Sequence, residues 1–316
     1  MQGLTKRLRV AVILGGDSSE RAVSLKSGSA VARALDPGRF RVMLFDPRLD
    51  LSRLIRYRDN LDAALVMLHG RGGEDGAIQG LLDLLGVPYQ CSGVLGCALA
   101  MDKVMSKERY RQVGLPVAPD VVLRRGQEDA AELVQSHLGL PVVVKPASEG
   151  SSFGVTIVQD GDQLGPALDR AFDLDRVALA EKYLPGREIT AGVLGNWELE
   201  SLPLVEVIPG ENYSFFDFQA KYQPGASREI CPAQLDEATT GQIQRLGRQA
   251  HQALGCLGYS RSDFILTPEG PVILETNTIP GMTETSLFPQ AAAAAGYSLG
   301  ALAARLVDLA LERAAD

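Results

Sequence analysis

Val272-Ile273-Leu274-Glu275-Thr276-Asn277-Thr278-Ile279-Pro280-Gly281-Met282-Thr283 reads as a strand that runs into a loop at Pro280-Gly281. Side chains two apart on a strand share a face, so Glu275 and Asn277 point together. Upstream, Arg261-Ser262-Asp263-Phe264-Ile265-Leu266 reads as a partner strand, with Thr267-Pro268-Glu269-Gly270 as hairpin punctuation. A type I turn at Pro268-Glu269 with Gly270 left-handed makes a three-residue loop. That register sets Asp263 opposite Glu275 and Arg261 opposite Asn277. Two carboxylates, an amide and an arginine then converge on one face. Carboxylates this close repel unless a cation lies between them. Oxygen ligands suit a hard ion such as Mg²⁺, which usually also binds phosphate. A solvated hairpin face with ordinary charges fits the same residues, so this stretch alone leaves both readings open.

Outward from the hairpin, 316 residues exceed what one hydrophobic core usually serves and predict two or three domains. A net charge of −8, from 31 basic and 39 acidic residues, disfavours nucleic-acid binding through a broad basic surface. It leaves room for a local basic pocket around an anion. Cys91, Cys97, Cys231 and Cys256 form no C-x-x-C pair and read as core thiols. The apolar run at residues 10–14 is too short for a signal segment. No stretch approaches a membrane span, residues 291–295 being a small-residue helix patch. The expectation is a soluble, cytoplasmic protein that engages no membrane.

The amino-terminal third opens with a buried strand over residues 8–14, Gly15-Gly16, a cap cluster at Asp17-Ser18-Ser19 and a helix over 20–35. A strand, a glycine turn and a helix are how doubly wound parallel domains begin, although the dinucleotide G-x-G-x-x-G spacing is absent. Glu20 falls in the first helical turn, where the helix dipole favours a carboxylate. It is either a helix-start residue or a cation-binding group at the ligand edge of the sheet. Strands follow over 41–46 and 63–68, the latter running into His69-Gly70-Arg71-Gly72-Gly73-Glu74-Asp75-Gly76. So many glycines at a strand's carboxyl end suit close approach by a ligand. A helix starts at Met101-Asp102-Lys103, and the linker at residues 114–119 marks the join to a second domain.

Beyond it, a strand over 140–146 ends on Lys145-Pro146, and Ala147-Ser148-Glu149-Gly150-Ser151-Ser152-Phe153-Gly154 leads to the next strand. A Gly/Ser hairpin offers backbone N–H groups and hydroxyls to an anion. It is not a Walker loop, because no Gly-Lys-Ser/Thr and helix follow. Strands over 177–184, 187–194 and 204–208 precede a long irregular stretch at 210–228. Its Tyr213, Phe215, Phe216, Phe218 and Tyr222 favour an ordered lid over disorder. Helices are expected over 239–254 and 298–313.

In order along the chain, Gly15-Gly16-Asp17-Ser18-Ser19-Glu20-Arg21, the His69–Gly76 motif, Met101-Asp102-Lys103, Lys145-Pro146 with Glu149-Gly150-Ser151-Ser152, Ala220-Lys221-Tyr222, Cys231-Pro232-Ala233 and residues 275–283 resemble the D-alanine–D-alanine ligase family. The resemblance spans nearly the whole chain. It implies an α/β ATP-grasp fold of three α/β domains. These are a doubly wound parallel-sheet substrate domain at 1–103, a central domain at 104–190, and a carboxyl-terminal domain at 191–316 carrying the omega-type lid and the metal site. ATP lies between the central and carboxyl-terminal sheets. The implied reaction joins two D-alanines through an acyl phosphate for peptidoglycan synthesis, in a homodimer.

The same resemblance implies the site. Asp263, Glu275 and Asn277 hold two Mg²⁺, for which Mn²⁺ can substitute. Lys103 and Lys145 bind the α- and β-phosphates, and Lys221 reaches the γ-phosphate. Glu181 with Lys182, Tyr183 and Leu184 holds adenine, and Glu188 the ribose hydroxyls. Glu20, linked through Ser151 and Tyr222, takes the ammonium of the first D-alanine, with His69 nearby. Arg261 and the Gly281 N–H make an oxyanion hole, while Ser286 and the Leu287 N–H take the second substrate's carboxylate. Tyr222 favours an amine as second nucleophile over D-lactate. A D-alanyl-D-lactate or D-alanyl-D-serine ligase of the same fold, and a nucleotide-binding protein without turnover, are the alternatives. Ala22 and Phe153 depart from the family pattern, and Phe153 bears on how the flap packs.

Overall fold

Three sheets organise the chain in the computed structural model, which describes residues 7–150, 153–210 and 227–315. The first has β1 (Leu8–Ile13) between β2 (Phe40–Phe45) and β3 (Ala63–Val66), all parallel. Val10, Ala11, Val12 and Ile13 are wholly buried, as expected of a parallel strand covered on both faces. The helix Arg21–Ala34 connects β1 to β2.

The second sheet is antiparallel in the order β4-β7-β5-β6, from β4 (Asp120–Arg124), β5 (Val142–Pro146), β6 (Thr156–Val158) and β7 (Val177–Lys182). The helices Ala130–Leu138 and Leu164–Leu174 close its own core around Val134, Val142, Val144 and Leu168. The third sheet contains β8 (Arg187–Leu194), β9 (Glu200–Ser201), β10 (Val205–Pro209), β11 (Ser227–Ile230), β12 (Tyr259–Thr267) and β13 (Gly270–Asn277). Its order is β11-β10-β8-β12-β13, with β9 on β8. β11 begins at Ser227, so the last two residues of the expected irregular stretch are strand.

The lobes are less separable than their order in sequence implies. β8 lies wholly in the third sheet, so the division expected at 190 falls inside a strand. Tyr110 and Leu115 pack into the core of the third sheet with Ile189, Ile243 and Phe264. The closing helix Leu299–Ala315 returns to the first sheet, burying Leu302, Leu306 and Val307 beside β1 and β3. Among the described residues no single helix is long and apolar enough to cross a membrane.

The hairpin of β12 and β13 reaches the expected pairing by another route. Thr267 pairs with Gly270, leaving only Pro268 and Glu269 as the loop, and Gly270 takes φ +128 rather than a left-handed helical value. With that loop alone every later pair is one residue out, and a one-residue slip turns side chains to the opposite face. The register shifts back between Asp263 and Phe264, where Leu274 is the extra residue. Asp263 therefore faces Glu275, and Arg261 faces Asn277. A bulge re-aims side chains in this way at functional edges.

Candidate active site

At the end of β1, Gly15 has φ +88, and a Cβ there would lie 2.5 Å from an oxygen of Asp46. Glycine leaves room for that carboxylate, which accepts from Gly16 N–H (3.0 Å) and pairs with Arg21 (2.6 Å). The Arg21 guanidinium holds the Asp46 carboxyl below its usual range. The pinned turn makes Glu20 the N-cap of the helix Arg21–Ala34 and buries it to 6% exposure. Its Oε2 lies where side chains on Gly70 or Gly150 would stand, at 2.9 and 3.0 Å from their ideal Cβ positions. The two glycine-rich loops thus converge on one carboxylate.

His69 and Glu74 complete this end. His69 Nε2 is 3.3 Å from Ser27 Oγ, and burial lowers its pKa to about 4, so the imidazole is neutral. Glu74 accepts the N–H of Gly70 (2.8 Å) through Oε2 and that of Ile279 (3.3 Å) through Oε1. It ties the His69 loop to the segment carrying Gly281. Burial, then the charge of Glu20, pushes the Glu74 carboxyl well above its ordinary range. A Cβ on Gly281 would approach Ser286 Oγ to 2.9 Å, so only glycine fits there without a shift. Ser286 Oγ accepts Thr283 N–H (3.2 Å), and Ser286 is the N-cap of the helix Leu287–Ala294. Backbone N–H groups at a helix start suit a carboxylate ligand. Glu20, His69, Glu74, Arg261, Asn277, Gly281, Ser286 and Leu287 line one cavity.

A second cavity opens between the second and third sheets. It is lined by Lys145, Phe153, Glu181, Lys182, Tyr183, Leu184, Glu188, Asp263 and Leu274. Lys103, Glu149 and Glu275 line both cavities and form their shared wall. Asp102 caps its helix by accepting Val104 and Met105 N–H, both at 3.0 Å. That cap starts the helix Lys103–Gln112 at the wall, where Lys103 Nζ meets Glu149 O (2.6 Å) and Glu275 Oε2 (3.4 Å). Lys145 Nζ lies 2.5 Å from Glu181 Oε2. Burial lowers the Lys145 pKa, but Glu181 and Glu275 outweigh it and leave it raised. The Lys182 side chain turns away, donating to Leu138 O (3.0 Å) and Leu140 O (3.4 Å).

The hairpin floor joins these cavities. Arg261 grips Asp263 with two bonds of 2.8 and 2.7 Å, and Asn277 Nδ2 donates to Asp263 at 3.2 Å. Beneath them Tyr110 OH reaches Thr276 Oγ1 (2.8 Å), which also meets Ser262 Oγ (2.8 Å). Among the described residues no three His, Cys, Asp or Glu side chains gather as a metal cage. Two carboxylates and an amide are the donor set instead. Mg²⁺ is usually held by one or two carboxylates with substrate phosphates and water completing it, so the donors fit.

Ser151, Lys221 and Tyr222 lie outside the described residues. Every other expected site residue lines one of the two cavities. Sequence reasoning assigned no role to Glu74, although it stands inside the glycine-rich motif, or to Lys107, one helical turn after Lys103.

The family model for the carboxyl-terminal part of D-Ala-D-Ala ligase matches residues 110–308. A D-alanine–D-alanine ligase of Syntrophobacter fumaroxidans is 58% identical over 308 residues, covering 98% of this chain and 99% of that one. One from Desulfotalea psychrophila is 49% identical, covering 98% and 96%. The crystal structure of D-alanine–D-alanine ligase from Bacillus anthracis complexed with ATP superposes with a TM-score of 0.85 at 32% identity, covering 98% and 99%.

Proposed function

This chain belongs to the D-alanine–D-alanine ligase family, and we propose that it joins two D-alanines into D-alanyl-D-alanine while ATP becomes ADP and phosphate, supplying peptidoglycan precursor. The observation that carries this reading is the shared wall. A carboxylate-lined cavity fit for an ammonium and a lysine-lined cavity fit for phosphates meet at Lys103, Glu149 and Glu275.

Glu20 pairs with the ammonium of the first D-alanine, and neutral His69 packs beside it. That orientation leaves the first substrate's carboxylate facing the wall. A carboxylate oxygen attacks the γ-phosphorus, the bond to the bridging oxygen breaks, and ADP departs with that electron pair. The amine of the second D-alanine, its carboxylate on Ser286 and the Leu287 N–H, attacks the acyl carbon. Arg261 and the Gly281 N–H stabilise the oxyanion, an arrangement worth about 3–4 kcal/mol for one donor. The tetrahedral adduct then expels phosphate, and the proton lost from the attacking nitrogen leaves with that phosphate. Lys103 and Lys145 hold the α- and β-phosphates and Lys221 the γ-phosphate. Glu181 to Leu184 and Glu188 frame the nucleoside. Asp263, Glu275 and Asn277 would hold two Mg²⁺, which offset the charge of the transferring phosphoryl group. Ser151 and Tyr222 link to Glu20 across the closed lobes.

On this reading the lobes divide near 103 and near the start of β8, and the enzyme works in the cytoplasm, where ATP is found. It is a homodimer through the first lobe. Support comes from edge strand β2 and the helix Pro47–Tyr57, which expose Leu44, Leu49, Leu51, Ile55 and Tyr57. The deciding assay follows ADP release with D-alanine, D-serine and D-lactate as substrates. D-alanine- and Mg²⁺-dependent release with D-alanyl-D-alanine as product is expected. ATP turnover indifferent to D-amino acids would sink the reading.

A further inference from the structure

Lys107 lies one turn after Lys103 on the helix Lys103–Gln112, so the two side chains leave the same helix face. Lys103 reaches the shared wall. The Lys107 side chain is 1% exposed and lines neither cavity. Its ammonium meets three acceptors: Ala118 O at 2.9 Å, Asp120 Oδ1 at 3.0 Å and Glu181 Oε1 at 2.5 Å. A lysine has three N–H donors, so none is left for a ligand.

Asp120 and Glu181 are direct partners across β4 and β7. Like charges directly opposite destabilise a ladder, and Lys107 supplies the cation between them. Arg111 pairs with Asp120 as well. Glu181 is thereby divided, with Oε1 on Lys107 and Oε2 on Lys145. Burial raises the Glu181 pKa, but the two lysines outweigh it and keep the carboxyl ionised. The carboxylate cannot swing toward one lysine without releasing the other.

We propose that Lys107 is a positioning residue for the nucleotide cavity, fixing Glu181 and through it the ammonium of Lys145 while touching no ligand itself. This rests on reading the Lys145 cavity as the ATP site. Removing Lys107 alone leaves two buried carboxylates opposed and threatens the fold. The test variant therefore combines Lys107→Met with Asp120→Asn, which preserves net charge. The expected result is a KM for ATP raised about tenfold, with kcat and the KM for D-alanine within about twofold. Calorimetric ATP affinity without D-alanine falls by the same factor. Adding Glu181→Gln causes less than the product of the separate effects, because residues in one network are not additive. Unchanged ATP affinity, an equal loss across all three kinetic parameters, or strict additivity with Glu181→Gln overturns the proposal. Absence of ATP dependence in the parent protein instead overturns the underlying reading of the cavity.

Discussion

The two cavities share the wall of Lys103, Glu149 and Glu275, yet the first adds carboxylates beside a neutral imidazole and the second adds a buried ammonium, Lys145, set against the buried carboxylate of Glu181. In the first cavity buried Glu20 stands near half-buried Glu74, beside a neutral His69. In the nucleotide cavity Lys145 is matched to Glu181, which Lys107 holds from behind. On the proposed reading the first cavity is poised for a cation, and the second for an anion met by Lys145, which Glu181 holds in place. A single site of either sign would bind one reactant well and repel the other. On the proposed reading, separate electrostatic compartments with a common wall would let an ammonium acid and a polyphosphate meet at that wall.

The sharpest way to break this comparison is at the wall itself. Glu275→Gln is expected to lower kcat by on the order of 10²–10³-fold while the far-ultraviolet circular dichroism stays that of the parent. Near-normal kcat would refute the role of the shared wall in phosphoryl transfer. Next, the compartments should fail independently. Glu20→Gln should raise the KM for D-alanine by about 10–100-fold through loss of a charge-assisted bond, with the KM for ATP little changed. If both KM values move together, the cavities are not separate compartments.

The smallest effect is on stability against pH. His69 and His251 are both buried and neutral, each lowered from 6.5 to about 4 by burial. The unfolded chain takes up protons on them as pH falls through 6.5, whereas the folded protein does so only near 4. Their contribution is therefore full above about pH 6.5 and lost progressively as pH falls toward 4. Glu74 acts with the opposite sign: its raised pKa favours the folded state at low pH, and that contribution fades as pH rises. The urea midpoint should drop between pH 7 and pH 5, and His251→Gln should flatten that drop. An equally steep drop in the variant would exclude His251 as a source.

The route to the hairpin shows how far local reading carries. Asp263 was legible as the partner of Glu275, but by way of a three-residue loop that the chain does not form. Two local departures, a shorter turn and a bulge at Leu274, cancel. Pairing preference along a strand is short-ranged, whereas a bulge is stabilised by neighbours on the flanking strands and is not encoded in period-two alternation. The glycines at 70 and 150 were visible as loop signals. That both make room for one oxygen of Glu20 was not, because they belong to different lobes.

By itself the sequence determined the strand, glycine-turn and helix order, the acidic and lysine-bearing motifs, and their resemblance to one ligase family. These rest on neighbours within a few residues, where periodicity and turn chemistry act. Only the tertiary structure decided that residues 104–115 serve the core of the third sheet and that the last helix covers the first. It also decided that Glu74 straps two loops and that Lys107 stands between facing carboxylates. Charge pairing in a buried site depends on which distant strands are brought within hydrogen-bond reach, and burial then makes each pair or orphan energetically decisive.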